Sequence, residues 1–264
     1  MDLVIGFAIA LAISGAAYFL KTLSHNGAIT ATIMGGLIFG LGGWEWAGLL
    51  VLFFVSSSLL SRWLSKRKEK LGQSFAKGSE RDWAQVLANG GLPLLLVILH
   101  ALQPDWDWVW WVYAGALAAV TADTWATEQG VLSKTSPRLV HSNQVVPRGS
   151  SGGVTTTGLF ASILGAQLIG LFAGIWADTH FDLTTAILIA VAGFTGAIVD
   201  SIIGGTVQAV YHCPVCEKET EQHPTHRCGE ATTLKRGWPW LNNDLVNLAA
   251  SFTGALVVFL FIGG

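Results

Sequence analysis

The chain has 264 residues, of which 52% are hydrophobic and only 12% are charged, and its mean hydropathy is +0.52. Because soluble domains contain roughly 25% charged residues, this composition excludes an ordinary soluble domain and indicates a polytopic membrane protein. The net charge of −2 gives no reason to expect nucleic acid as a partner. Asp2 stands where a secretory signal needs a basic region, so the first apolar stretch is expected to be a retained span.

Apolar stretches of roughly the length that a bilayer requires recur along the whole chain. We predict an all-α bundle of about eight transmembrane helices, over residues 3–20, 27–42, 46–60, 84–101, 108–126, 154–176, 183–207 and 244–262. The second stretch is short and rich in glycine, so the alternative is a re-entrant hairpin that leaves seven spans. The whole chain is expected to form one membrane domain, with a cytoplasmic insertion at 209–240.

The basic residues predict how the bundle is oriented. All fifteen Lys and Arg fall in alternate connections, including the strongly basic segment 61–83 between the third and fourth spans. Since cytoplasmic loops collect Lys and Arg, these connections are expected to face the cytoplasm. We therefore expect an integral protein of a bacterial plasma membrane or a thylakoid membrane, with its polar site on the cytoplasmic side.

Two carboxylates lie near the end of the fifth span. Asp123 and Glu128 are five residues apart, and carboxylates are preferred ligands of Mg²⁺. On a continuous helix they would diverge by about 140°, but Gly130 predicts that the helix is already ending, which would let Glu128 turn back. The alternative is that Glu128 is merely interfacial and that Asp123 pairs with a basic residue.

Groups suited to phosphate follow in the same connection. The glycine-rich stretch before the sixth span can present backbone N–H groups at a helix N-terminus, where the helix dipole favours anions. Ordinary helix capping is the alternative. The predicted nucleotide- and phosphate-binding residues are Asn89, Thr124, Lys134, Asn143, Arg148, Ser150, Ser151, Gly152, Gly153, Asn243 and Asn247.

Two further acids are predicted at the same depth in the membrane. Asp200 lies in the seventh span with apolar residues on both sides, and Asp244 begins the eighth span. Asp123, Asp200 and Asp244 are the candidate catalytic residues. Asp200 or Asp244 would hold a second metal or orient the acceptor. For Asp244 the alternative is helix capping. Polar residues at membrane depth usually face a cavity or each other, so we expect one pocket open to the cytoplasm.

All three cysteines lie in the connection between the seventh and eighth spans. Cys213, Cys216 and Cys228 form two short knuckles typical of a small zinc ribbon. Three thiolates and one imidazole complete a tetrahedral structural site, with His226 or His223 as the fourth ligand. The alternative is three unrelated reduced thiols.

Several motifs together resemble the phytyl-phosphate kinase family of integral membrane proteins. They are ADT-x3-E-x-G at 122–130, GSSGGVTTTG at 149–158, GFTGAIVDSIIGG at 193–205 and NNDLVN at 242–247. The chain is similar, more distantly, to CTP-dependent phytol and dolichol kinases. The resemblance implies an all-helical enzyme that transfers the terminal phosphate of a nucleotide, usually CTP, to a prenyl monophosphate. The product would be a prenyl diphosphate for tocopherol or quinone synthesis.

Two other functions fit the same features. Glycine-broken spans and buried carboxylates also occur in transporters, which would make the acids accessible in turn from both faces. A CTP-dependent cytidylyltransferase would share the metal and the nucleotide but would release pyrophosphate, whereas a kinase would release CDP. The oligomeric state is not predicted.

Overall fold

The computed structural model describes residues 3–70, 80–176 and 183–263, so residues 71–79 of the basic segment lie outside the described residues. Within these ranges there are eight α-helices. They are α1 Leu3–Phe19, α2 His25–Gly42, α3 Trp44–Lys70, α4 Trp83–Leu102, α5 Trp108–Gly130, α6 Thr156–Trp176, α7 Leu183–Thr206 and α8 Asn243–Ile262. The predicted second span is one continuous helix of 18 residues.

The helices confirm a membrane protein that is mainly helical. Among the described residues, α3, α4, α6, α7 and α8 are long and apolar enough to cross a membrane, and α1 is a shorter apolar helix. The full count of eight spans and the orientation stay predictions. The boundaries differ most at α3, which continues to Lys70, and at α5, which continues to Gly130.

Two small β-sheets are inserted between the helices. Between α5 and α6, β1 (Arg138–Leu139) pairs antiparallel with β2 (Gly153–Val154). Between α7 and α8, β3 (Val210–Cys213) is the centre of an antiparallel sheet, with β4 (Lys218–Thr220) and β5 (Thr233–Arg236) at its edges. The first sheet was not predicted, because two-residue strands leave no periodic pattern in the sequence.

Helix α5 is the centre of the bundle. Every residue from Val112 to Ala122 is buried, and the helix contacts α3, α4, α6, α7 and α8. Small side chains make this packing feasible, as is usual for helices in lipid. A Cβ added at Gly193 of α7 would lie 2.7 Å from the Cβ of Ala118, and one at Gly196 would lie 2.6 Å from that of Ala119.

The remaining helices form two groups on either side of α5. Helix α1 packs along α2, which also contacts α3 and α4, and these four helices form the N-terminal half. Helix α7 contacts both α6 and α8, and these three helices form the C-terminal half. The connections α5–α6 and α7–α8 meet at one end of the bundle, since Ser151 of the first bonds to Glu221 of the second.

Candidate functional site

Three carboxylates from separate segments gather at this end of the C-terminal half. Asp123 is on α5, Asp200 is on α7, and Glu221 follows β4. Asp200 interacts electrostatically with both Asp123 and Glu221, and Asp123 also interacts with Glu221. The close contact of α5 with α7 at Gly193 and Gly196 explains why the first two meet, because both helices continue in the same direction for about one further turn.

Glu221 links the α7–α8 connection to the α5–α6 connection. Its Oε1 accepts a hydrogen bond of 2.6 Å from Ser151 Oγ in the α5–α6 connection. The same oxygen accepts a bond of 2.8 Å from Nε2 of Gln208, a buried residue just after α7. These two bonds fix the carboxylate beside the two helix carboxylates.

Arg236 brings a positive charge to the same place. Its Nη2 donates to the carbonyl oxygen of Ser151 at 3.3 Å. Among the described residues, Arg236 Nη1 is buried without a hydrogen-bond partner, and so is Asp200 Oδ2. Buried polar atoms are normally satisfied, so each of these two atoms is available to a ligand group.

The donor set fits a divalent cation together with a phosphate. Carboxylate oxygens are hard ligands of the kind that Mg²⁺ selects, and three of them close together repel one another until a cation binds. A guanidinium next to them is the side chain best suited to phosphate oxygens. We call this group of Asp123, Asp200, Glu221, Ser151 and Arg236 the acidic site.

The glycine-rich turn holds Ser151 in this position. Gly152 has φ +80, and a side chain there would collide with the backbone of Gly205 and Ser201 on α7. The N–H of Gly153 donates to the carbonyl of Ser150, and the N–H of Ser150 donates to that of Pro147. The predicted contact of these amides with phosphate stays a prediction.

Glu128 lies on another face of α5. The expectation that the helix ends before it is wrong, because α5 is helical through Gly130. Glu128 Oε1 accepts a hydrogen bond of 2.8 Å from Ser61 Oγ of α3, and the carboxylate interacts electrostatically with Arg81. Its role as a magnesium ligand stays a prediction, but the helix directs it towards the N-terminal half.

Other predicted site residues are distributed along the connections. Thr124 Oγ1 donates to the carbonyl of Val120 at 2.8 Å, so it bonds within its own helix. Lys134 is exposed, and Arg148 Nη1 donates to the carbonyl of Val131 at 3.3 Å. Asn143 has φ +56, and its carbonyl accepts a bond from Arg138.

The start of α8 and one residue of α4 complete the predicted set. Asn242, and not Asp244, caps α8, because its side chain accepts a bond of 3.1 Å from the N–H of Leu245. Asn243, Asp244 and Asn247 lie in the first turns of that helix. Asn89 lines an apolar cavity between the N-terminal helices. The positions of these residues do not test the functions predicted for them.

The predicted metal ligands of the α7–α8 connection come together. The ligand atoms of Cys213, Cys216, His226 and Cys228 all lie within 4.8 Å of one another. Cys213 Sγ is 3.5 Å from Cys228 Sγ, which is close to the roughly 3.8 Å expected for two sulfurs that share a tetrahedral zinc ion. His223 instead stacks on Tyr211, with ring centres 4.3 Å apart.

The chemistry of this cluster suits a metal such as zinc. A hydrogen bond from the backbone N–H of Cys216 lowers the pKa of the Cys213 thiol, as expected for a thiolate ligand. The side-chain hydrogen bond with Cys228, together with burial, raises the pKa of the Cys216 thiol to about 11. Binding of zinc itself stays a prediction.

The three-stranded sheet links the cysteine cluster to the acidic site. Cys213 ends β3, whereas Val210 at its start pairs with Arg236 of β5. Thr220 pairs with Tyr211, so Glu221 emerges at the same end of the sheet as Arg236. The cysteine cluster therefore lies at one end of this sheet, which we call the ribbon. Glu221 and Arg236 lie at the other end, next to the acidic site.

Sequence reasoning missed Gln208, Glu221 and Arg236. Glu221 lies in a polar stretch with Glu217 and Glu219, and nothing in the order of residues distinguishes it from them. Arg236 contributed only to the count of basic charges. The strand register, which selects both, is a tertiary property that a single sequence does not display.

The fold and the two clusters define an integral membrane protein with a cysteine–histidine ribbon inserted before its last helix. The chain belongs to the family described as integral membrane protein DUF92, which it matches over residues 8–255. No solved structure matches the chain.

Relatives of this chain include proteins of a plant, an archaeon and a cyanobacterium. It is 31% identical to Protein PGR of Arabidopsis thaliana over 223 residues, which cover 76% of this chain and 77% of that protein. It is 30% identical to Uncharacterized membrane protein MJ0933 of Methanocaldococcus jannaschii over 238 residues, or 90% and 84% of the two chains. It is 26% identical to Uncharacterized membrane protein sll0875 of Synechocystis over 247 residues, or 90% and 81%. These names assign no activity, so the resemblance to a kinase family stays a prediction.

Proposed function

We propose that this protein is a magnesium-dependent phosphotransferase. It transfers the terminal phosphate of a nucleotide, CTP, to a prenyl monophosphate such as phytyl phosphate and releases CDP and the prenyl diphosphate. The motifs that resemble the phytyl-phosphate kinases support this choice of substrates. The acidic site supports the class of reaction, because phosphoryl transfer needs positioning and neutralisation of charge rather than a covalent relay.

One observation carries the proposal. Asp200 Oδ2 and Arg236 Nη1 are both buried and both lack a hydrogen-bond partner among the described residues. The first atom suits a metal ion and the second suits a phosphate oxygen. A nucleotide phosphate bound to magnesium satisfies both atoms at once, whereas a metal ion alone satisfies only the carboxylate.

The residues of the acidic site then have distinct tasks. Asp123, Asp200 and Glu221 would hold Mg²⁺, which when bound neutralises charge on the phosphate oxygens. Arg236 binds a phosphate oxygen, and Ser151 orients Glu221 through its hydroxyl and Arg236 through its carbonyl. Asp244 remains the candidate for orienting the acceptor, and the ribbon, with its structural zinc, keeps Glu221 and Arg236 in place.

Product analysis of purified protein tests the proposal. We expect CTP, Mg²⁺ and phytyl phosphate to yield CDP and phytyl diphosphate, and we expect CTP with Mg²⁺ to stabilise the protein more than ATP or GTP. Release of pyrophosphate would instead identify a cytidylyltransferase. An absence of both nucleotide binding and turnover would favour the transporter.

A pair of neighbouring basic residues sharpens the test. Arg236→Gln removes the phosphate contact, and we expect kcat/KM for CTP to fall by at least about tenfold, the scale of one lost charge-assisted bond. Lys235→Gln is the matched control, because Lys235 pairs with Glu219 at 2.9 Å on the surface, where an ion pair contributes little. Equal effects of the two substitutions would contradict the role of Arg236.

A further inference from the structure

The N-terminal half contains two adjoining cavities of opposite character. The first is lined almost entirely by apolar side chains of α1 to α4, among them Ile13, Met34 and Phe53. The second is lined by Leu20 and by polar and basic residues. The polar and basic residues are Lys21, Thr22, Ser58, Ser61, Arg62 and Arg81.

Arg81 is the residue that lines both cavities. Its Nη1 donates to Ser58 Oγ at 3.0 Å. The guanidinium also lies 5.9 Å from the ring centre of Phe53 and 5.5 Å from that of Phe54, within the range of a cation–π contact. A charged group is thus held at the exact boundary between an apolar and a polar space.

The backbone of Arg81 is fixed as firmly as its side chain. Its N–H donates to the carbonyl of Thr22, and its carbonyl accepts from the N–H of Ser24, both at 3.0 Å. Gly27 approaches so closely that a side chain there would collide with the Arg81 carbonyl. A guanidinium held in this way loses little conformational entropy when a ligand binds.

The charge around the polar cavity favours an anion. Lys21, Arg62 and Arg81 contribute three positive charges to its lining. Glu128 of α5 interacts electrostatically with Arg81. Basic pockets between transmembrane helices are suited to phosphate head groups.

We propose that the two cavities form one binding site for a single-chain lipid phosphate. The phosphate lies in the polar cavity against Arg81, Lys21 and Arg62, and the hydrocarbon chain enters the apolar cavity between α1 and α4. This site is separate from the acidic site and does not depend on the proposed transfer, although the same class of lipid would serve as its acceptor.

Native mass spectrometry of the detergent-solubilised protein tests this site, with farnesyl monophosphate as the probe. We expect Arg81→Gln to weaken binding by at least about tenfold, because it removes a charge-assisted contact. Arg81→Lys should restore part of it, since a lysine keeps the charge but not the planar fork. Ala31→Leu, which fills the apolar cavity, should also weaken binding.

Two further arms separate the head from the tail of the ligand. Farnesol should bind at least about tenfold more weakly than farnesyl monophosphate, since it lacks the charged group. Inorganic phosphate should compete only at far higher concentration than the lipid, since it lacks the chain. If farnesol binds as tightly as farnesyl monophosphate, the site recognises only the hydrocarbon chain. If inorganic phosphate competes at the same concentration as the lipid, the site recognises only the anion. Either result overturns the proposal.

The remaining variants keep the test decisive if Arg81→Gln fails to fold. Lys21→Asn removes a second positive charge at a left-handed backbone position (φ +56) that asparagine tolerates, and we expect weaker binding. Lys235→Gln is the control and should bind the lipid as the parent does. Unchanged binding in both Lys21→Asn and Ala31→Leu would overturn the site. Lipid binding without nucleotide turnover would overturn the proposed function alone.

Discussion

In the C-terminal half of the bundle three carboxylates meet at the ends of α5 and α7, whereas in the N-terminal half three basic side chains line a cavity beside α1 and α3. The first group suits a cation and the second suits an anion. Both groups touch α5, through Asp123 on one side and Glu128 on the other.

The difference shows how one helix can serve two opposite sites. Asp123 and Glu128 are five residues apart, so a continuous helix separates their directions by about 140°. Because α5 stays helical through Gly130, the two acids cannot both turn to the same side of the bundle. The acid that completes the Asp123 site comes instead from Glu221, which the ribbon supplies.

The largest expected effect is that of Asp200→Asn. We expect formation of the prenyl diphosphate to fall by about 100-fold or more, the scale seen when one group that stabilises transition-state charge is removed. Without Mg²⁺ the variant should be at least as stable to heat as the parent, because burial and the two neighbouring carboxylates disfavour a charge at this position.

Binding of farnesyl monophosphate serves as the internal control for that variant. The N-terminal cavities contain no part of Asp200, so the affinity measured without Mg²⁺ and nucleotide should not change. Loss of lipid binding in Asp200→Asn would contradict the separation of the two halves. Retained transfer activity would remove Asp200 from the mechanism.

A pair of histidines in the ribbon tests how the acidic site is held. His226→Ala removes a ligand from the cysteine cluster, and we expect bound zinc to be lost and transfer activity to fall by about tenfold or more. His223→Ala is the matched control and should retain zinc, because its ring stacks on Tyr211 outside the cluster. Elemental analysis and the transfer assay measure the two effects.

The zinc content and the activity of the two variants test the role of His226 and the role of the ribbon separately. If both histidine variants contain as much zinc as the parent, the cluster does not use His226. If zinc is lost while activity and the position of Glu221 are unaffected, the ribbon does not support the acidic site.

The smallest expected effect compares two glycines of one turn. Gly149 and Gly152 both have positive φ, but a side chain at Gly149 meets nothing within 4 Å, whereas one at Gly152 collides with α7. We expect Gly149→Ala to cost about 1 kcal/mol of stability from backbone strain. Gly152→Ala should cost about 3 kcal/mol, because overpacking adds to the strain.

Thermal unfolding in detergent measures both variants, and the transfer assay adds a second comparison. Gly152→Ala should also reduce transfer activity, since the turn positions Ser151 against Glu221. Equal losses of stability for the two glycines would show that the turn does not pack on α7 as described.

Much of the fold could be predicted because the signal is local. Apolar stretches located all eight helices of the described residues within a few residues, except that α3 and α5 continue beyond the predicted ends. The spacing of Cys213, Cys216 and Cys228 indicated a ribbon, and the four ligand atoms do come together. Asp123 and Asp200 were chosen from their apolar surroundings alone, and they do interact.

The choice of partners could not be predicted in the same way. Glu221 was indistinguishable from Glu217 and Glu219 until the register of β3 with β4 brought it next to Ser151. Arg81 was one of seven basic residues in a connection that was interpreted as a cytoplasmic loop. Its role depends on two cavities formed by four separate helices.

The amino-acid sequence by itself determined that this chain is a helical membrane protein with buried acids and a cysteine ribbon, because hydropathy, charge and short spacings are written in consecutive residues. The tertiary structure alone decided which acids share a site, which histidine joins the cysteines, and which arginine lies between two cavities. Those choices depend on distances between residues far apart in the chain, which are set by the packing of helices around α5 and by the register of one small sheet.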